Sequence, residues 1–199
     1  VDSGATYMDG TTDITRTYPL GELTEDEKRF YTWTLQSHID LARAVWLNYC
    51  ECKMIDTIAR EPLWRHLINY RCGTGHSVSF VGNVHEGPHA LNSRNTTRMR
   101  PGMVVTDEPG VYETDLVGIR IENELVCIHK ADNQYGTFLG FEPLTFVPIA
   151  TSPILPGVLD KDELAWLNDY HRQVFAKLAP HLNAEERVWL AEKCASIGC

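Results

Sequence analysis

Asp2-Ser3-Gly4-Ala5-Thr6-Tyr7-Met8-Asp9-Gly10-Thr11-Thr12-Asp13-Ile14-Thr15-Arg16-Thr17 is the stretch on which the fold turns. Residues 1–19 read as two short strands around a turn, with Asp9-Gly10 as the strongest hairpin signal in the chain. Asp9 is then a turn former. With Asp9-Gly10 as a two-residue loop, Asp2 falls opposite Thr17, and Asp13 shares its face but lies four residues away, roughly 13 Å along the strand. A bulge, or a longer turn through Gly10–Thr12, is needed to close that gap.

Working outward, Thr24-Glu25-Asp26-Glu27 is a capping box, with Thr24 as N-cap and Glu27 at N3. Tyr31, Leu35, Ile39, Ala42 and Trp46 recur at helical spacing and predict an amphipathic helix to about Leu47. A second helix is predicted from about Lys53 to Asn69, kinked or restarted at Pro62. Met103 to Thr106 is a short strand that ends at Asp107-Glu108-Pro109-Gly110. Val117 to Glu122 alternates strictly, which puts Arg120 and Glu122 on one face. Phe141 to Ile149 reads as a Pro-punctuated apolar strand. Asp160 and Glu163 begin another capped helix, and a last helix covers about Ala184 to Ala195. A boundary near Pro148 separates a strand-rich body, 1–148, from a helical appendage, 149–199.

The chain has 199 residues, 43% of them hydrophobic and 23% charged, enough for a buried core. Eighteen Lys+Arg against 27 Asp+Glu give a net charge of −9, which argues against nucleic-acid and membrane-surface partners. No apolar run approaches the roughly 20 residues of a bilayer span. The N-terminus lacks a secretory pattern and an initiator Met, so the chain is expected to be the later part of a longer, cytoplasmic one. Six cysteines at irregular spacing, Cys50-x-Cys52 among them, fit reduced thiols better than a disulfide framework or a zinc site.

Chemistry concentrates in a few segments. Asp2 and Asp13 lie in the opening stretch, Glu108 in Thr106–Gly110, Glu122 in Gly118–Asn123, and His76 in Gly73-Thr74-Gly75-His76. Four carboxylates and one imidazole form a hard, oxygen-rich donor set suited to Mn²⁺-like ions. Several carboxylates together can hold two dications about 3.5–4 Å apart. On spacing alone, Asp2 and Asp13 share a facing without being shown to touch, and spacing does not prove the site. Arg120, on the face of Glu122, is expected to support a metal carboxylate rather than touch substrate.

These segments, with Asn83-Val84-His85-Glu86-Gly87-Pro88, resemble those of the M24 pita-bread metallopeptidases, in particular the aminopeptidase P branch. Phe141 to Ile149 and Trp166-Leu167-Asn168-Asp169-Tyr170-His171 resemble that branch's C-terminal extension, so the resemblance covers nearly the whole chain. It implies an α+β fold: a partial pita-bread domain with a curved antiparallel sheet flanked by helices, plus a small helical extension. It also implies removal of the N-terminal residue from peptides with proline second, using two divalent metals, most often Mn²⁺. Asp2, Asp13, His76, Glu108 and Glu122 would be the ligands, with Asp13 and Glu122 bridging. His85 would contact substrate and relay a proton, and Glu108 would act as base toward the water. A homodimer is expected, with the Trp/Tyr/Leu stripe of Asp160–Leu178 as a packing or dimer surface.

The alternatives are a prolidase-like dipeptidase of the same fold and a non-catalytic dimerising module. Two departures from the family pattern stand out. Ser77 and Ser79 replace glycines and are expected to reshape the pocket floor. The first half of the catalytic domain, an upstream histidine and the N-terminal domains are not in this sequence, so weak or absent activity is expected of the chain alone. Five histidines, His38, His66, His129, His171 and His181, read as surface or boundary residues, and His89 has no assigned role. Asp107 reads as support for its neighbour, and Glu86 as support for His85.

Overall fold

Thr24 caps α1 (Glu25–Ala42) as the sequence requires: its hydroxyl accepts from the Glu27 N–H while the Glu27 carboxylate accepts from the Thr24 N–H. A computed structural model describes residues 1–198 and shows ten strands and four α-helices among them. The strands are β1 (Asp2–Tyr7), β2 (Gly10–Thr15), β3 (Val45–Leu47), β4 (Gly75–Ser77), β5 (Glu86–Leu91), β6 (Val104–Asp107), β7 (Gly110–Glu113), β8 (Val117–Arg120), β9 (Asn123–Asn133) and β10 (Gly136–Pro143). The other helices are α2 (Cys52–Trp64), α3 (Lys161–Leu178) and α4 (Ala184–Lys193).

Six strands form an antiparallel sheet in the order β3-β10-β9-β6-β4-β5, and β1-β2 and β7-β8 are separate hairpins. The α+β class expected from the sequence is what forms. One core lies between the sheet and the helices, with Leu41, Ile55 and Ala59 against Leu91, Val105, Leu125 and Leu139. A second joins α1 to α3: Tyr31, Leu35 and Ile39 meet Ile119, Leu167, Tyr170 and Val174. The i, i+4 spacing of the α1 residues is what lets one helix face serve this second core.

Several boundaries differ from the sequence reading. The helix expected to reach Leu47 stops at Ala42, and Trp46 sits in β3, paired with Leu139 of β10. Alternation in Val45-Trp46-Leu47 takes over there, with Trp46 buried on Phe141. The second helix ends at Trp64 rather than Asn69. It neither breaks nor restarts at Pro62, which falls in its last turn. The strand expected over Phe141–Ile149 ends at Pro143. Past that point Tyr170 and His171 take over the backbone, the Tyr170 hydroxyl donating to the Val147 carbonyl and the Ile149 N–H donating to His171 Nε2. His171 and His38 are therefore fully buried, not surface residues. Leu167, Tyr170 and Val174 of the α3 stripe pack within the chain against α1, the packing role expected as one alternative, while Phe175 stays exposed.

The close approach of β4 to β6 rests on Gly75: a Cβ there would lie 1.8 Å from the Thr106 carbonyl oxygen. Gly75→Ala is expected to push the strands apart and to lower stability in urea titration by about 1–3 kcal/mol or more. An unchanged midpoint would contradict this packing.

Candidate metal centre

The opening hairpin brings its two aspartates together by register. Tyr7 pairs with Gly10, so the loop is Met8-Asp9, one residue earlier than expected, and Gly10 opens β2 with φ +152°. Asp2 consequently pairs with Thr15, not Thr17, and Asp13 pairs with Gly4. The separation along the strand falls from four residues to two, a diagonal neighbour distance of about 7–8 Å, with neither bulge nor long turn. Gly4, opposite Asp13, presents no side chain over it.

Glu108 and Glu122 meet for a different reason. β6 and β9 are antiparallel with Asp107 opposite Asn123, so Glu108 follows the end of one strand and Glu122 precedes the start of the other. His76 arrives from the neighbouring strand β4. Thr106 ties two of them: its hydroxyl accepts from the His76 N–H (3.0 Å) and donates to Glu108 Oε1 (3.0 Å). The Glu108 N–H donates to the Thr74 carbonyl at 2.8 Å. Behind it a buried chain runs from the Thr74 hydroxyl to Asp56, whose carboxylate accepts from Arg60 Nε at 2.8 Å.

The result is one cavity of about 580 Å³ lined by Asp2, Asp13, His76, His85, Glu108, Arg120 and Glu122 among others. His76 Nε2 is 3.1 Å from Glu108 Oε1 and 3.5 Å from Asp13 Oδ2. The His85 ring stands edge-on to His76 at 3.9 Å between centroids. Ligand atoms of His76-Glu108-Glu122, of Asp2-Asp13-Glu122 and of Asp13-His76-His85 each lie within 4.8 Å of one another. All five ligands expected from the family resemblance therefore converge, as does His85.

Hydrogen bonds fix how these groups point. His76 Nδ1 lies 3.1 Å from the Ser77 carbonyl and must donate to it, which leaves Nε2 facing the carboxylates with no hydrogen bond of its own. Thr15 Oγ1 donates to Glu122 Oε2 at 2.7 Å. Arg120 pairs with Asp2, lies 3.7 Å from Glu108 Oε2 and 4.0 Å from Glu122 Oε2, and donates to the Tyr112 hydroxyl at 3.0 Å. It thus touches three of the acids at once.

Several neighbours were read differently from sequence. Ser77 and Ser79 are buried and do not line the cavity; Ser79 Oγ donates to the Asn83 carbonyl at 2.7 Å. Glu86 is exposed and does not line it either, so it offers His85 no visible support. Asp107 faces His38, whose Nδ1 lies 3.2 Å from both the Asp107 carboxylate and its carbonyl, while Asn123 Nδ2 donates to His38 Nε2 at 3.3 Å. This fully buried brace joins the residues flanking Glu108 and Glu122. The Asp-Glu pair at 107–108 and the Glu-Asn pair at 122–123 carried no sequence signal that His38 lies between them.

Glu124 was also missed. It is buried, one Oε has no partner, and it approaches the backbone of Asp13 from β9. Its place two residues beyond Glu122 on an alternating strand is the signal that marks it. The five described cysteines, Cys50, Cys52, Cys72, Cys127 and Cys194, are free thiols, and Cys199 lies outside the described residues.

The site suits cations on its own chemistry. Burial, then the nearby Glu108 carboxylate, push the Glu122 carboxyl up to about 8. Burial likewise raises Glu124 to about 7. Burial alone would lower His76, but the Asp13 and Glu108 carboxylates outweigh it and carry the imidazole to about 10. An imidazole nitrogen aimed at crowded carboxylates, beside a Glu122 carboxyl that keeps its proton, fits divalent metal ions, which would displace the protons held by His76 and Glu122.

Each of these groups holds its proton longer in the folded chain than in the unfolded one. The stabilisation is complete below about 4.5 for the two glutamates and is lost as pH rises through about 8 for Glu122 and about 7 for Glu124. For His76 it is complete below 6.5 and lost toward about 10. His171, held down to about 4 by burial, opposes this trend only up to 6.5. Without metal, stability in urea is expected to fall from pH 6.5 to 9. Added Mn²⁺ is expected to raise the Tm more at pH 8 than at pH 6. A metal-free stability that rises across that range would contradict the crowded-carboxylate reading.

Comparison with known proteins meets this geometry from outside. The model of metallopeptidase family M24 matches residues 1–129, and that of the C-terminal region of peptidase M24 matches residues 137–197. Aminopeptidase P1 of Lotus japonicus is 43% identical over 99% of this chain and 31% of its own length. Aminopeptidase P2 of Arabidopsis thaliana is 45% identical over 96% of this chain and 28% of its own. The chain thus spans about a third of the length of the curated relatives it matches. Among solved structures, X-prolyl aminopeptidase of Caenorhabditis elegans, described as a cytosolic enzyme with a di-nuclear active site, superposes with a TM-score of 0.93 at 39% identity, covering 98% of this chain and 33% of that one. Prolidase of Pyrococcus furiosus gives a TM-score of 0.63 at 29% identity over 73% of this chain and 40% of that one. Matched by these two models over residues 1–129 and 137–197 and sharing the pita-bread fold of its neighbours, the chain belongs to metallopeptidase family M24.

Proposed function

We propose that this chain carries the catalytic centre of a dinuclear Xaa-Pro aminopeptidase, and the observation that carries this reading is the convergence of four carboxylates and one imidazole in a single cavity. Asp2, Asp13, His76, Glu108 and Glu122 would hold two divalent ions, most often Mn²⁺. Glu122 belongs to both acid-containing triplets that exclude His85, and Asp13 reaches both Asp2 and His76, which supports these two acids as the bridges. The full-chain likeness to aminopeptidase P favours this activity over that of a prolidase.

When bound, such ions lower the pKa of water and polarise the scissile carbonyl. Glu108 would take a proton from the attacking water; in support, its Oε1 is held by Thr106 and its Oε2 lies near Arg120. A bond to proline is a tertiary amide with no N–H on the proline side. The proline nitrogen therefore needs a proton as the C–N bond breaks, and His85 would relay it, a role supported by its exposure at the cavity against His76. Arg120 acts by holding Asp2 and offsetting the charge of Glu108 and Glu122. The products are the free N-terminal residue and a peptide beginning with proline.

We also propose residues 1–148 as the catalytic portion and residues 149–199 as an extension whose role is packing or pairing of two copies. A pairing surface would have to lie outside the part of α3 that packs on α1. No helix among the described residues is long and apolar enough to cross a membrane. A cytoplasmic location is also proposed, supported by the description of the Caenorhabditis elegans neighbour as a cytosolic enzyme. Slow turnover by this stretch alone is part of the proposal.

With Mn²⁺ added, release of free alanine from Ala-Pro-Gly-Gly is expected, together with about two metal ions bound per chain. Asp13→Asn and Glu122→Gln should each lower turnover by more than the ~10–100-fold typical of residues outside the ligand set. Both should also reduce the metal count. Cleavage that is unaffected by either substitution, or by removing the metal, would overturn the assignment.

A further inference from the structure

The cavity that holds the candidate ligands does not end at them. Cys72, Gly73 and Asn92 line it and also line a second cavity of about 700 Å³, so the two adjoin along these residues as a trough in two parts. The second part is walled by Trp64 of α2, the segment Asn69–Gly73 and the turn Asn92-Ser93-Arg94.

Its floor is built rather than loose. The buried Arg60 donates from Nη1 to the Tyr70 carbonyl at 2.8 Å and from Nη2 to the Cys72 carbonyl at 2.8 Å, with its guanidinium 4.2 Å above the Tyr70 ring. Asn69 Oδ1 accepts from both Arg60 Nη1 (3.3 Å) and Trp64 Nε1 (3.1 Å). Arg60 also pairs with Asp56, so its charge is spent on the scaffold. Two further arginines at this end, Arg71 and Arg94, are exposed and form no ion pair among the described residues.

The trough is therefore polarised along its length. One end carries Asp2, Asp13, Glu108 and Glu122; the other carries two guanidiniums without partners, in a chain of net charge −9. A short peptide has the same polarity, with its amine at one end and carboxylate at the other. An aminopeptidase substrate has nothing upstream of its first residue, so chain that continues past the reacting centre belongs to the leaving portion.

We propose that the trough binds the leaving portion of the peptide and that Arg71 and Arg94 select a carboxylate there, either an acidic side chain or a free C-terminus. This rests on the aminopeptidase reading for its direction along the trough, but not for the binding itself. Planar guanidiniums recognise carboxylates by paired N–H donors, and exposed pairs of this kind are salt-sensitive.

The test uses the metal-free chain, so that binding is read without cleavage, and follows the indole N–H resonance of Trp64. Ala-Pro-Glu-Glu is expected to shift it saturably at low salt, and Ala-Pro-Gln-Gln-amide is not. Ala-Pro-Gln-Gln as the free acid and Ala-Pro-Glu-Glu-amide separate the C-terminal from the side-chain carboxylate. Arg71→Ala and Arg94→Ala should each weaken binding of the acidic peptide about 3–5-fold, as for an exposed charge pair, without altering the weak binding of the neutral amide. Equal affinity for acidic and neutral peptides, or variants that bind as the parent does, would overturn the proposal. If the variants bind as expected while the chain takes up no pair of metal ions at Asp2, Asp13, His76, Glu108 and Glu122, the anion site stands and the aminopeptidase reading falls.

Discussion

Like charges held within a few ångströms in a partly dry cavity repel each other, and the shape of this molecule answers that repulsion. Asp13, Glu108 and Glu122 all crowd His76, and Glu122 is almost fully buried. No carboxylate cluster of this kind is stable unless the backbone leaves it no alternative and positive charge is supplied. Part of that charge comes from Arg120 and from the raised proton affinity of His76 and Glu122. The remainder is what two divalent ions would provide.

The backbone constraint comes from an arginine outside the ligand set. Arg16, only 3% exposed, donates to the Glu122 carbonyl, to Asn123 Oδ1 and to the carbonyls of Val147 and Pro148, and also meets the Tyr170 hydroxyl. It thereby fastens the β1-β2 hairpin to the start of β9 and to the segment that α3 holds in place. The His38–Asp107–Asn123 brace does the same for β6 and β9 from beneath. A buried charge that serves only as a staple is costly unless fully hydrogen-bonded, and Arg16 meets that condition.

The sequence carried the caps, the amphipathic faces and the members of the ligand set because these are local or pattern-level features. Thr24-x-x-Glu27 and Asp160-x-x-Glu163 announce their helices directly. What it did not carry is register and long-range pairing. The one-residue shift of the hairpin loop decides whether Asp2 and Asp13 can meet, and the Asp-Gly signal pointed to the neighbouring residue pair. Trp46 fits a helical stripe equally well as a three-residue strand, and tertiary pairing with β10 settles it. His38 and His171 look like ordinary polar positions on their helices. Their partners, Asp107 and the Ile149 N–H, are 69 and 22 residues away. Glu124 and the Arg71–Arg94 pair escaped notice because their meaning lies in what surrounds them.

The most direct measurement is diffraction from crystals soaked in Mn²⁺, with anomalous scattering recorded at the manganese edge. The expected result is two peaks about 3.5–4 Å apart, bounded by Asp2, Asp13, His76, Glu108 and Glu122. No peak at these side chains under saturating metal, or peaks bound elsewhere on the chain, would contradict the dinuclear centre.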